Sequence, residues 1–228
     1  MLNEKPILEA EKLSIALGIL ISGHGSNLQA LIDACNDDNF PANIAIVISN
    51  NFNAYGLKRA AKANIPNVVV NHNSFVSREQ YDGALAETLE GAGVELICLA
   101  GFMRVLSKTF VDRWKNRIIN VHPSLLPAFK GLNVHERVID AGVRFSGCTV
   151  HYVRAELDSG PIIIQSAVPV SFNDTPDTLS AKVLETEHRC YPLAVRLIAE
   201  RRINMKADSL IIKGVGIPDN TMINPNSS

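Results

Sequence analysis

Apolar positions cluster into short runs separated by polar, helix-like stretches from near the start of the chain. Ile15 to Ile21 is almost continuously apolar, the pattern of a strand buried on both faces. Gly23 and Gly25 follow it, and Leu28, Leu31, Ile32 and Cys35 then recur at helical spacing. The same alternation predicts a strand at 44–48, a helix at 55–63, a short strand at 68–70 and a helix from about Arg78 to Leu89. Gly91 and Gly93 break the chain before a strand at 96–100. A strand–helix rhythm of this kind predicts a parallel sheet with helices on both faces.

Beyond Trp114 the rhythm changes. Strands are predicted at 117–122, 147–154 and 162–168, the first ended by Pro123. Asp158-Ser159-Gly160-Pro161 lies between the last two and is turn chemistry, so these two are expected to run antiparallel. A helix is expected to start near Thr175-Pro176, with proline at a permitted first-turn position. Pro192 should kink or divide it, because proline removes an internal hydrogen bond. The whole chain, 1–228, reads as one domain with its core at about 15–203. The first dozen residues and the stretch after about Asp219 are expected to be loose extensions.

Composition narrows the function. Apolar residues make up 46% of the chain and charged residues 20%, the proportions of a globular protein. The net charge of -1 provides no general attraction to nucleic acid or anionic membranes, so neither is expected as a partner. The longest apolar run, Leu13 to Ile21, is interrupted by Ser14 and Gly18 and is too short to span a bilayer. Cys35, Cys98, Cys148 and Cys190 are scattered, which reads as reduced thiols in a cytoplasmic protein. No metal-ligand pattern is present, and no metal is expected.

Three local features carry candidate chemistry. Gly23-His24-Gly25-Ser26-Asn27-Leu28 sits between a strand and a helix, but Leu28 replaces the third glycine of a dinucleotide fingerprint. The loop suits a phosphate monoester held on backbone amides, or equally a plain tight turn with Ser26 as helix cap. Asn120 and His122 alternate on a strand, so they share one face, where an amide and an imidazole could stabilise an oxyanion and move a proton. They also fit a hydrogen-bonded core pair. Asp158 fits an ordinary turn aspartate as well as a catalytic one.

Taken together, four segments are more specific. Ser22 to Ala30 (SGHGSNLQA), Leu99 to Leu106 (LAGFMRVL), Asn120 to Pro127 (NVHPSLLP) and Glu156 to Pro161 (ELDSGP) occur in one order. They resemble the phosphoribosylglycinamide formyltransferase family over about Ile15 to Ile203. That resemblance implies an α/β, Rossmann-like formyltransferase fold, with a mainly parallel sheet flanked by helices and antiparallel strands towards the C-terminus. It implies an enzyme of purine biosynthesis that transfers a formyl group from 10-formyltetrahydrofolate to glycinamide ribonucleotide.

By matching position, the resemblance makes Asn120, His122 and Asp158 catalytic. It gives Gly25, Ser26 and Asn27 to the ribonucleotide phosphate and Glu187 to its glycinamide part. Arg78, Met103, Arg104, Val105, Leu106, Arg154, Ala155, Glu156 and Leu157, with Asn120 and Asp158, fall at positions lining the folate site. The protein is expected to work as a monomer or homodimer. The related methionyl-tRNA formyltransferases and formyltetrahydrofolate deformylases carry an additional domain for which this length leaves no room. A catalytically inactive binding module on the same fold is disfavoured by the intact Asn120/His122/Asp158 set.

Overall fold

The computed structural model describes residues 14–206, 209–216, 218 and 221–225. Its seven-stranded sheet is built from the apolar runs. The first three strands are β1 (Ile15–Ile21), β2 (Ala42–Ser49) and β3 (Asn67–Val69). Next come β4 (Leu96–Leu99) and β5 (Ile118–His122), then β6 (Phe145–Tyr152) and β7 (Ile162–Pro169). Their order in the sheet is β3-β2-β1-β4-β5-β6-β7. The first five run parallel, whereas β6 pairs antiparallel with β5, and β7 antiparallel with β6. The fold expected from the sequence is therefore the one observed.

Four helices link the parallel strands: α1 (Ser26–Cys35), α2 (Tyr55–Lys62), α3 (Arg78–Gly91) and α4 (Lys108–Arg113). Two more follow, α5 (Val134–Asp140) and α6 (Pro176–Ala199). Alternate strand residues enter two separate cores, as the twofold pleat requires. Leu17, Ile19 and Ile21 of β1, with Ile119 and Val121 of β5, pack with α1, α5 and α6. Leu20, Ile97 and Ile118 face the other way, onto Tyr81, Leu85 and Leu89 of α3 and Phe110 and Trp114 of α4.

Two expectations need correction. α6 runs unbroken through Pro192 for 24 residues, so the proline does not divide it. Burial of Tyr191, Ala194 and Val195 around that turn supplies packing that outweighs one lost backbone bond. The stretch after Asp219 is not loose throughout either. Asn224 donates from Nδ2 to the carbonyls of Arg144 and Val170, fastening the chain against the ends of β6 and β7. Regular structure also continues past 203 in a small hairpin, β8 (Ile203–Lys206) and β9 (Ser209–Ile212). Its Ile203, Met205, Leu210 and Ile212 pack on the α6 side of the core. The first dozen residues lie outside the described residues.

α6 is tied to the sheet by a polar bond within the core. The fully buried Tyr191 donates from its hydroxyl towards Leu99 O at 2.9 Å and Ile119 O at 3.2 Å, on the adjacent strands β4 and β5. Tyr191→Phe should cost about 1–2 kcal/mol, the net worth of a buried hydrogen bond with its acceptors left behind. Urea unfolding of the two proteins measures this, and equal midpoints would show that the hydroxyl anchors nothing.

Candidate active site

The helical cover on the α3/α4 face reaches Ile118 of β5. Asn120 and His122 are the next residues on that face, and both line a cleft of about 760 Å³. After Pro123 the chain folds back on itself. Ser124 donates to Ala128 O, and Thr149 of β6 donates to Ser124 O and accepts from Leu126 N. This return brings Phe129 O to 3.0 Å from Nε2 of His122, which donates to it. The other ring nitrogen, Nδ1, lies 3.4 Å from Oδ2 of Asp158. His122 therefore has an acceptor at each nitrogen, and both it and the Asp158 carboxylate are buried.

Asp158 reaches this position through a strained loop. It is a non-glycine residue with φ 48, and its Oδ2 accepts from the backbone N–H of Gly131 at 2.9 Å. The connection from β6 to β7 occupies residues 153–161, longer than a simple turn. It closes where Pro161 O accepts from Tyr152 N. A side chain at Gly160 would put Cβ 1.6 Å from Tyr152 O, so only glycine permits that closure.

His151 was missed in the sequence reading. It stands opposite Asn120 in the β5–β6 register, with Nε2 3.5 Å from Asn120 Nδ2 and 3.9 Å from Asp158 Oδ1. Burial holds its imidazole below the usual histidine range; Tyr152 O at Nδ1 and the Asp158 charge oppose that shift. The available signal was a lone histidine in an apolar strand paired with the Asn120/His122 strand. His135 of α5 also lines the cleft, and burial lowers its pKa, helped by the His122 charge.

The glycine loop borders the same cleft through Asn27. Gly25, not Ser26, is the N-cap of α1, and no side chain caps the helix. Among the described residues the amides of Ser26, Asn27 and Leu28 have no hydrogen-bond acceptor. The helix thus starts as an open donor set with the positive end of its dipole behind it. Asn27 is buried and donates from Nδ2 to Oε2 of Glu187 on α6 at 2.7 Å. Burial pushes the Glu187 carboxyl up to about 7, and the Asn27 bond offsets this only in part.

Much of the remaining lining is apolar and partly exposed. Met103, Val105, Leu132 and Leu157 present side chains to the cleft above buried Leu99, Leu106 and Val121. Arg104, Arg154, Ala155 and Glu156 also line it, the first with its guanidinium over the Tyr81 ring. Of the residues singled out in the sequence, Arg78 is exposed at the start of α3 and does not line the cleft. Gly25 and Ser26 flank it without lining it, while Asn27 and Glu187 do line it. Among the described residues no group of three or more His, Cys, Asp or Glu side chains is placed to hold a metal ion. No helix among them is long and apolar enough to cross a membrane.

The sheet is Rossmann-like and carries an amide, an imidazole and a carboxylate close together. Residues 16–195 match the formyl transferase family, and the chain belongs to it. Within that family it is 41% identical over 202 residues to phosphoribosylglycinamide formyltransferase of Haemophilus influenzae, covering 89% of this chain and 95% of that one. It is 48% identical over 198 residues to the trifunctional purine biosynthetic protein adenosine-3 of Gallus gallus. That alignment covers 87% of this chain, which spans about a fifth (20%) of the longer protein. The crystal structure of glycinamide ribonucleotide transformylase 1 from Symbiobacterium toebii superposes with a TM-score of 0.87 at 44% identity, covering 91% of this chain and 98% of that one.

The raised Glu187 pKa makes stability depend on pH. The folded protein holds a proton on Glu187 up to about pH 7, whereas an unfolded glutamate releases it near 4.5. The stabilisation is therefore complete below about pH 4.5 and is lost as pH rises through 7. The full swing is at most about 3 kcal/mol. Glu187→Gln keeps an acceptor for Asn27 and abolishes the titration. The variant's thermal midpoint should gain on wild type by several degrees between pH 5 and pH 8. Parallel midpoint curves would mean that Glu187 is not buried as a protonated acid.

Proposed function

We propose that this cleft transfers the formyl group of 10-formyltetrahydrofolate to the primary amine of glycinamide ribonucleotide. The products are formylglycinamide ribonucleotide and tetrahydrofolate, in de novo purine biosynthesis in the cytoplasm. The observation that carries this reading is one cleft lined by two differently equipped groups: Asn120, His122 and Asp158, and Asn27 with Glu187. The open amides at the start of α1, in the loop of Gly25, Ser26 and Asn27, suit the ribonucleotide phosphate. The Glu187 carboxyl suits the polar glycinamide part, and the apolar part of the lining suits a flat folate ring.

The chemistry needs no covalent enzyme intermediate. The amine nitrogen bonds to the formyl carbon, and the carbonyl electrons move onto oxygen. Asn120 Nδ2, with only a long contact to His151, is free to donate to that oxygen. When the tetrahedral centre collapses, the bond to N10 of the folate breaks. The amine loses a proton and N10 gains one. His122 keeps Nε2 engaged with Phe129 O, so its part in proton movement falls to the Nδ1 edge that it shares with Asp158. Asp158 is the acceptor for the amine proton, directly or through one water. Arg78, exposed outside the cleft, would meet only the outer part of a bound folate.

The test offers 10-formyltetrahydrofolate with glycinamide ribonucleotide, with initiator methionyl-tRNA, or with water alone. Rapid turnover is expected only with the ribonucleotide. Formate released with water alone at a comparable rate would make the protein a hydrolase instead. Asn120→Ala should lower kcat by roughly 10²–10³, the effect of losing one oxyanion donor. Asp158→Asn retains an acceptor for Gly131 N–H but not the charge, and should lower kcat by roughly 10²–10⁴ at an unchanged thermal midpoint. Wild-type kcat in a stable Asp158→Asn protein would reduce Asp158 to a turn residue.

A further inference from the structure

The glycine loop does not hold its shape unaided. Gly56 of α2 donates its backbone N–H to Gly23 O at 3.1 Å, and the two backbones touch: a Cβ on Gly25 would lie 2.8 Å from the Gly56 Cα. Gly25 itself has φ 74. One side chain, Arg59 of α2, then reaches over the loop with three separate contacts. Its Nε donates to His24 O at 3.0 Å, and Nη1 donates to Oε1 of Gln29 in α1 at 3.1 Å. Nη2 lies 3.3 Å from Nδ1 of His24. The guanidinium also sits 5.1 Å from the centre of the Tyr55 ring, against which the His24 imidazole stacks at 5.4 Å.

We propose that Arg59 is a positioning residue for the acceptor phosphate: it clamps the Gly23–Asn27 loop so that the first amides of α1 stay open and aligned for a phosphate monoester. This inference rests on the reading of the loop as a phosphate site. The guanidinium suits the task because its donors form a rigid planar fork, and here they fix a backbone carbonyl, an imidazole and an amide at once. A lysine ammonium keeps the charge but cannot hold three acceptors in that fixed geometry. The Arg59 charge is also felt at His188 of α6, where it adds to the dominant effect of burial in lowering the imidazole pKa. His24, which follows no known phosphate pattern, gains a role as part of the clamp.

The test measures KM and kcat for glycinamide ribonucleotide and for its dephosphorylated riboside, with folate saturating. Wild-type protein should favour the ribonucleotide strongly through KM. Arg59→Ala should raise the ribonucleotide KM roughly tenfold or more and leave the riboside KM within about twofold, with kcat little changed. Arg59→Lys should fail to restore the ribonucleotide KM. Thermal midpoints show whether the variants fold. His24→Ala, which removes a single arm of the clamp, should shift the same KM in the same direction by a smaller factor if Arg59→Ala does not fold. A folded Arg59→Ala with wild-type KM overturns the clamp, and so does full rescue by lysine, which would leave only a charge effect. Equal use of riboside and ribonucleotide by the wild-type protein would instead overturn the phosphate reading itself.

Discussion

The site depends on one constraint: β5 is the strand where a parallel sheet turns antiparallel. Its neighbour β4 runs alongside it, while β6 runs against it. The parallel side delivers β5 with its carboxyl end at the same edge as β1 and β4, where loops rather than helices cover the sheet. The antiparallel side brings the chain back, so that His151 stands opposite Asn120 and the next loop returns Asp158 to His122. A sixth parallel strand would have needed a helical crossover instead of this direct return. The pairing of Asn120 with His151 thus follows from the register alone, whereas Asp158 reaches His122 because the long 153–161 loop carries it back and Gly131 N–H holds it there.

Much of this was legible in the sequence because strands buried on both faces leave uninterrupted apolar runs. β1 begins and ends at the positions its run predicts, and Thr175 caps α6 with Pro176 as its first residue. The short helices α4 and α5 escaped because one or two turns carry too few positions for a periodicity to show. The β8–β9 hairpin escaped for the same reason, and its strands are only partly buried. Ser26 was read as a possible cap because of its residue type. Yet Gly25 takes the left-handed conformation at the cap, and Ser26 is already helical. The candidate residues were visible as pairs, such as Asn120 with His122. His151 was not, since nothing local distinguishes a cleft-lining histidine from one buried in a strand.

The electrostatics of the cleft are economical. Neither group uses a surface ion pair, which solvent would weaken. In one a histidine is offered a carbonyl and a carboxylate, and in the other a buried carboxyl is offered a single amide. Water already screens little at these places, so a bound substrate would meet fields that need little rearrangement. The cost appears as strain and desolvation: Asp158 at positive φ, and Glu187 with its ionised form disfavoured by burial. Such costs persist only where the surrounding fold over-determines the geometry.

α6 supplies much of that determination. Glu187 and Tyr191 are four residues apart, so they project from the same side of the helix, one turn from each other. Tyr191 fixes that side against the carbonyls of Leu99 and Ile119, which belong to the strands that carry the cleft-lining 101–106 loop and the Asn120/His122 pair. Glu187, one turn earlier, meets Asn27 at the start of α1. One continuous helix therefore links Glu187 and Asn27 to the strands that carry Asn120 and His122. Any shift of α6 relative to the sheet would move Glu187 against Asn120 by the same amount. In the proposed transfer the amine and the formyl carbon would have to meet within a tolerance of well under about 1 Å. An unbroken 24-residue helix anchored by a buried hydroxyl is suited to keep it, which gives a physical reason for the helix to continue through Pro192.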